Sequence, residues 1–144
     1  MPLETTPKPQ DRSRRENQKV QQAVDGIIGA FLKGDPDMGE MHAHLPFTEI
    51  IEWKGTANVW NATVEEFRET VEARKEEPIS QETVQETIEW ISDLTALVFR
   101  RVKTTIPDGR SFVAPALFLV VPDREGTFRV VLSWWGSFPD WFQA

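Results

Sequence analysis

The 144-residue sequence has no cysteine, no tyrosine and only two histidines. Without cysteine there can be no disulfide, no thiolate metal ligand and no cysteine nucleophile. The two histidines, His42 and His44, are too few for a histidine-rich metal centre. Phosphate loops, dinucleotide fingerprints, nucleophile elbows and zinc-binding helix motifs are also missing. We therefore predict neither a metal site nor a cofactor.

Basic charge is also scarce. Lysine and arginine total 16 against 23 acidic residues, which gives a formal net charge of −7. A negative surface opposes binding to nucleic acids and to anionic membranes. No apolar run is long enough to span a bilayer, and residues 1–17 lack the apolar core of a signal peptide. These features predict a soluble, cytoplasmic protein with no nucleic-acid or membrane partner.

Large apolar rings are abundant, with six tryptophans and nine phenylalanines. Such rings either fill an ordinary core or line a cavity, and composition alone favours the core. The length suits a single domain. We assign residues 1–12 to a flexible N-terminal tail and residues 13–144 to one domain.

The helix signals come first along the chain. A capping box at Ser13 and Glu16 opens a first helix that ends at Gly34. A short second helix is predicted from Asp35-Pro36 to the residue before Pro46. A third is predicted from the capping box at Thr63 and Glu66 to the residue before Pro78.

The strand signals follow, and their short turns indicate antiparallel neighbours. No element is predicted for the aromatic tail 136–144. Helices followed by a meander of strands are typical of the α+β class. Strands are predicted at Thr48–Trp53, Ala57–Trp60, Val84–Ile91, Leu94–Thr105, Ser111–Val121 and Thr127–Trp135.

The strand around Val113–Val121 is apolar on both faces, so both faces need cover. Helices can cover one face, and either a second protomer or the C-terminal tail must cover the other. We favour a homodimer through this outer face. In the last strand, Phe128, Val130, Leu132 and Trp134 are predicted to face the core. The opposite side, with Ser133 and Trp135, would form a cavity wall or an interface.

A family resemblance rests on the segments Asp93–Arg100, Pro107–Arg110, Gly126–Val130 and Ser133–Trp135, together with Lys33–Asp35 and Thr63–Phe67. This pattern resembles the nuclear transport factor 2-like superfamily, which includes SnoaL-like polyketide cyclases, ketosteroid isomerases and scytalone dehydratases. The resemblance implies a cone: a curved, mainly antiparallel sheet wrapped around a long third helix. It also implies an internal pocket and dimerisation through the outer sheet face.

Four residues are candidates for acid/base catalysis. His42 and His44 titrate near neutral pH, although a solvated or core-edge histidine is the simpler interpretation. Glu49 and Glu52 point to opposite faces of a strand. Either would become a base if it faced an apolar pocket, and would otherwise be an exposed carboxylate. The resemblance implies a catalytic carboxylate near the end of the first strand, as in the isomerases. The best alignment places Trp53 at that inward position and Glu52 one residue before it.

Ligand-binding candidates are mostly rings that could stack on a flat molecule, namely Trp53, Trp60, Trp90 and Trp135. Ordinary packing is the alternative for each. Arg100 and Arg101 take opposite faces of one strand, and a surface pairing with nearby acids is the simpler interpretation. In the alternative, one of them, for which we name Arg101, points into the cone and binds a ligand carboxylate or pairs with Glu49 or Glu52. Phe118 aligns near the acid that stabilises the oxyanion in the isomerases, and it has no proton to donate.

The leading hypothesis is a SnoaL-like pocket protein for a small apolar or aromatic molecule. It would act as a cofactor-free isomerase, dehydratase or cyclase by acid/base catalysis on a mostly apolar substrate. The alternative is a non-catalytic ligand-binding or dimerisation module.

Overall fold

The computed structural model describes residues 14–76 and 79–142. The predicted tail 1–12, the capping residue Ser13 and Pro78 lie outside these ranges. Three helices precede or interrupt a sheet of six strands. The elements are α1 (Arg14–Lys33), α2 (Pro36–His42), β1 (Ala43–Trp53), β2 (Thr56–Ala62), α3 (Val64–Ala73), a 3-10 turn (Arg74–Glu76), β3 (Ser80–Trp90), β4 (Ala96–Thr105), β5 (Ser111–Pro122) and β6 (Phe128–Phe138).

Local sequence signals explain the helix boundaries. Helix α1 buries an apolar stripe that includes Val20, Val24 and Ile27. It ends at Gly34, whose φ of 64° is the left-handed conformation that glycine adopts most easily. The side chain of Asp35 then caps α2 by accepting a hydrogen bond from the Met38 amide. The first two predicted helices are therefore confirmed at their junction.

The predicted end of α2 at Pro46 is wrong. The helix stops at His42, and Ala43 already has extended backbone angles. Pro46 lies inside β1, at an irregularity between Ala43 and Thr48 in the pairing with β6. Proline is tolerated there because that segment has no ladder partner requiring its missing amide. Strand β1 is consequently five residues longer at its start than the sequence pattern predicts.

The sheet is mixed and open, with strand order β2-β1-β6-β5-β4-β3. Strands β3 to β6 form the predicted antiparallel meander, and β1 pairs in parallel with β6. This architecture confirms the α+β class with a curved, mainly antiparallel sheet. No described helix is both long and apolar enough to cross a bilayer.

The expectation that the third helix is the long one is wrong. Helix α1 has 20 residues and α3 has 10. Helix α1 packs against β4, β5 and β6, whereas α3 contacts α2, β1 and β2. The sheet thus curves around α1, and α3 covers one end through the buried side chains of Phe67 and Val71.

A β-bulge in β6 corrects the predicted faces of that strand. Leu119 pairs with Leu132 while Val120 pairs with Val130, so Val131 is an extra residue. From the start of β6 to Val130, the residues that face inward are those predicted to face the core. Beyond the bulge the inward residues are Ser133 and Trp135, which are buried, and the predicted core residues Leu132 and Trp134 face outward.

The inner and outer faces of β5 differ in their cover. The even-numbered residues from Ala114 to Val120 are buried beneath the helices. On the outer face, Val113 is 42% exposed. The C-terminal tail does not cover the outer face, because Trp141 and Phe142 pack against the ring of Phe112, on the inner side.

Candidate functional site

A cavity of about 370 Å³ lies on the inner side of the curved sheet. The second half of α1 forms one wall, and the inward residues of β1, β5 and β6 form another. The start of β3, the β4–β5 turn and the C-terminal tail complete the lining. The volume is at the low end of the range typical of small-molecule sites, roughly 300–1,000 Å³.

Glu49 is the one carboxylate among the described residues that line this cavity. It alternates with Phe47 and Ile51 on the inward face of β1. Ser133 lies directly across the β1–β6 pairing, and its hydroxyl donates a long hydrogen bond of 3.4 Å to Glu49 Oε2. Burial raises the pKa of the Glu49 carboxyl, while the charge of Arg74 and the Ser133 hydrogen bond oppose that rise. Such a carboxyl can accept or return a proton closer to neutral pH.

Two arginines also line the cavity. Arg74 follows α3 at helical spacing from Phe67 and Val71, and its guanidinium lies 5.8 Å from the ring centroid of Phe31. The guanidinium of Arg110 lies 4.4 Å from the ring centroid of Trp141. Because the Arg110 side chain is 56% exposed, it marks an opening of the cavity.

Aromatic rings supply most of the remaining wall. Phe118 and Trp135 meet edge to face with centroids 5.7 Å apart. Phe138 then joins Trp135 to the tail ring of Phe142, at centroid distances of 6.1 and 5.3 Å. Edge-to-face ring pairs are favourable beyond their burial of apolar area, so this wall holds its shape around the cavity.

Comparisons with solved structures decide the fold. A nuclear transport factor 2-like protein from Pseudomonas putida KT2440 superposes with a TM-score of 0.70 at 13% identity, covering 90% of this chain and 91% of that one. The chain has the nuclear transport factor 2-like fold. The association domain of C. elegans CaMKII gives a TM-score of 0.69 at 12% identity, with 86% and 97% of the chains covered.

A third similar structure is a ketosteroid isomerase-like protein from Erwinia carotovora atroseptica SCRI1043. Its TM-score is 0.59 at 16% identity, with 88% of this chain and 99% of that chain covered. No protein-family model matches the sequence, and no curated protein matches it. At such low identities the similarity establishes the nuclear transport factor 2-like cone and leaves the activity to be argued from the site.

Within this cone, three of the predicted site residues come together. Glu49, Phe118 and Trp135 all line the cavity. Glu52 lies on the opposite side of β1, where it is exposed and accepts a hydrogen bond of 3.2 Å from Trp134 Nε1. The odd spacing of the two glutamates produces this separation.

The two histidines lie away from the cavity lining. His42 packs at the end of α2 against Gly26 of α1. Burial lowers the pKa of His42, and the nearby positive charge of Arg129 lowers it further. His44 is exposed. Both placements correspond to the simpler interpretation of a core-edge or solvated histidine.

Three of the predicted ligand-binding tryptophans lie outside the cavity lining. Trp53 Nε1 donates to the Pro139 carbonyl at 3.1 Å, which ties the end of β1 to the tail. Trp60 packs edge to face on Phe47. Trp90 is buried against Phe128 at a centroid distance of 5.7 Å. Trp60 and Trp90 pack against the core, whereas Trp53 lines a second hollow beside the β1–β2 turn and Phe138.

The consecutive residues Arg100 and Arg101 of β4 point to opposite faces of the sheet, as strand alternation requires. Arg101 is exposed on the outer face. Arg100 is buried on the inner face, but its guanidinium pairs with Glu86 and Asp25, each at 2.7 Å. The two carboxylates neutralise the charge of Arg100. Neither Arg100 nor Arg101 lines the cavity.

Arg74, Arg110 and the tail rings line the cavity but are not among the residues predicted from the sequence. Signals for both arginines exist in the sequence. Arg74 continues the apolar stripe of α3, and Arg110 precedes Phe112 by two residues, on the inward alternation of β5. The described residues include no group of three or more metal-ligating side chains of the histidine, aspartate or glutamate type.

Proposed function

We propose that the protein encloses a small, mostly apolar or aromatic molecule and transfers a proton on it without a cofactor. Isomerisation, dehydration and cyclisation are the reaction classes that such a site suits. The observation that supports this proposal is Glu49, a carboxyl group in an aromatic-lined cavity. The ketosteroid isomerase-like neighbour has the same fold and is consistent with it.

The chemistry follows from the position of Glu49. In its ionised form the carboxylate removes a proton from the carbon between a carbonyl group and a C=C double bond. The electron pair of the C–H bond forms a new C=C bond and the π pair of the carbonyl moves onto its oxygen, which gives a dienolate. The protonated acid then returns the proton at another carbon. Because burial raises the pKa of Glu49, the carboxylate is a stronger base than an exposed glutamate. The rings of Phe118 and Trp135 orient the substrate.

Deuterium exchange tests this proposal without knowledge of the natural substrate. The protein is incubated in D₂O with a panel of small cyclic unsaturated ketones, and exchange next to the carbonyl is followed by NMR. We expect the wild-type protein to accelerate exchange for some members. Glu49→Gln should lower that rate by about 10²-fold or more, since general base catalysis contributes at least that much.

Glu52→Gln, His42→Gln and His44→Gln are matched controls, because these residues lie outside the cavity lining. They should retain the wild-type rate. No acceleration by the wild-type protein, or an unchanged rate in Glu49→Gln, would remove the proton-transfer mechanism.

A second candidate function is that of a dimerisation module. Phe99 on the outer face is 41% exposed, and it pairs across the sheet with Leu117, which in turn pairs with Trp134. An apolar patch of this kind marks a protein–protein contact. The fold also occurs in an association domain, that of C. elegans CaMKII. We propose a homodimer through this outer face, which is compatible with either an active or an inactive cavity.

A further inference from the structure

The charges that line the cavity are opposite in balance to those of the whole chain. The sequence carries a formal charge of −7. The described lining residues include two arginines, Arg74 and Arg110, against one carboxylate, Glu49. The arginines of the lining therefore outnumber its carboxylates, although Asp108, which is outside the lining, pairs with Arg110.

Arg74 is available to a ligand. Among the residues that the structure describes, no carboxylate lies within salt-bridge distance of its guanidinium, whereas Arg68 and Arg100 each pair with two. The ring of Phe31, over which the Arg74 guanidinium lies, also lines the cavity. A half-buried guanidinium next to an apolar wall costs desolvation that a bound anion would offset.

Arg110 is partly committed and partly available. Its Nε donates to Asp108 Oδ2 at 2.7 Å, and its backbone amide donates to Asp108 Oδ1 at 2.8 Å, which fixes the base of the side chain. This bond leaves the two terminal amino groups of the guanidinium for a ligand. The stack on Trp141 holds the guanidinium plane over the aromatic tail.

We propose that the cavity binds a small organic carboxylate with a flat apolar body, and that Arg74 and Arg110 bind its carboxylate group. The inference rests on the pocket function proposed above and names the chemical class of its ligand. The body would lie against Phe118, Trp135 and Phe138, and the carboxylate would point towards the two arginines.

The charge balance favours a single negative charge on the ligand. Asp108 already pairs with Arg110, so Arg74 is the lining guanidinium without a carboxylate at salt-bridge distance among the described residues, and one ligand carboxylate would pair with it. A dianion such as a phosphate monoester would leave an unpaired negative charge near Glu49, at a cost in an enclosed site. The planar fork of arginine also matches the two oxygens of a carboxylate.

A matched pair of probes tests this inference by isothermal titration calorimetry on the full chain. The probes are 2-naphthoate and its neutral counterpart 2-naphthylmethanol. We expect the wild-type protein to bind the carboxylate at least about tenfold more tightly, the factor expected for one charge-assisted hydrogen bond. Arg74→Gln and Arg110→Gln should each reduce that preference.

Arg101→Gln is the control, because it removes the same charge from the exposed outer face of β4. It should keep the wild-type preference. Arg74→Lys retains the positive charge without the planar fork of arginine and should give an intermediate preference for the carboxylate probe. This variant also provides the test if Arg74→Gln folds poorly.

The outcomes separate the two proposals. Equal wild-type affinity for the two probes would overturn the carboxylate inference and leave the pocket function standing. Binding of neither probe would count against the pocket itself. A preference for naphthoate that survives in both Arg74→Gln and Arg110→Gln would overturn the assignment to these arginines.

Discussion

At the scale of single residues, burial of the Glu49 carboxyl group costs desolvation free energy, and the fold does not require that group. A glutamine would fill the same space on β1 without a buried charge. The cavity instead keeps a carboxyl group whose pKa burial raises, with only Ser133 and Arg74 acting against that rise. Groups with strongly perturbed pKa values concentrate at functional sites, which is the physical reason for centring the proposed function on this residue.

This pKa shift predicts how stability depends on pH. Because the folded protein holds the Glu49 proton more tightly than the unfolded chain, ionisation of Glu49 destabilises the fold. The stabilising contribution of the protonated Glu49 carboxyl is fully present below the ordinary pKa near 4.5. It is lost as the pH rises through the higher pKa of the folded protein. Glu49→Gln should therefore gain stability relative to the wild type as the pH rises above 4.5. Urea unfolding at a series of pH values measures this difference.

Glu52→Gln is the control for that measurement, since it makes the same substitution on the exposed side of the same strand. A free-energy difference between Glu49→Gln and the wild type that stays constant from pH 4 to pH 8 would contradict the predicted linkage.

At the scale of elements, α1 and α2 pack closely enough to require a glycine. A Cβ atom on Gly26 would lie 2.2 Å from the imidazole ring of His42, and at 2.5 Å from its Nε2. Gly29, one turn further along α1, differs from it. A Cβ atom there would meet only the flexible end of Met38, at 3.0 Å.

The two glycines give a matched pair of substitutions. Gly26→Ala should destabilise the protein by about 1–3 kcal/mol, because the clash with a ring outweighs the better helix propensity of alanine. Gly29→Ala should be neutral or stabilising by up to about 1 kcal/mol, since the Met38 side chain can move aside. Thermal and urea unfolding measure both values. Equal effects at the two positions would show that the His42 contact does not set the spacing of these helices.

The elements differ in how far the sequence alone could predict them. Capping residues and turns are local signals, so the junction at Gly34 and Asp35 and the strands β3 to β5 were predictable. The length of β1 and the bulge at Val131 depend on the register with neighbouring strands, which no local pattern encodes. The helical spacing of Arg74 and the strand alternation of Arg110 are visible in the sequence, but each becomes a cavity residue only when distant elements meet.

At the scale of the whole molecule, no helix or tail segment within residues 14–76 and 79–142 covers the outer face of the sheet. Its apolar patch consists of two cross-strand rows, Phe99–Leu117–Trp134 and Leu97–Leu119–Leu132. A stable interface buries about 800 Å² on each partner, and a second copy of this face would supply a complementary apolar surface of the same shape by two-fold symmetry.

We expect the purified protein to sediment as a dimer, and Phe99→Lys to shift it to the monomer by placing a charge within the apolar contact. Sedimentation velocity across a range of concentrations measures the change. Met41→Lys is the control, because Met41 is equally exposed, at 61%, and lies on α2, on the helical side of the sheet and away from this patch. A wild-type monomer at high concentration, or a dimer unaffected by Phe99→Lys, would contradict the proposed interface.

The extra residue at Val131 has a consequence for how such a protein can diversify. In β6 the alternation runs inward at Val130, outward at Leu132 and inward again at Ser133, so loss of the codon for Val131 would leave every one of these side chains on its present side. What would change is the local bend of the strand. A single-codon deletion could therefore change the bend of the strand that carries Ser133 and Trp135 while retaining the chemical groups that face into the hollow.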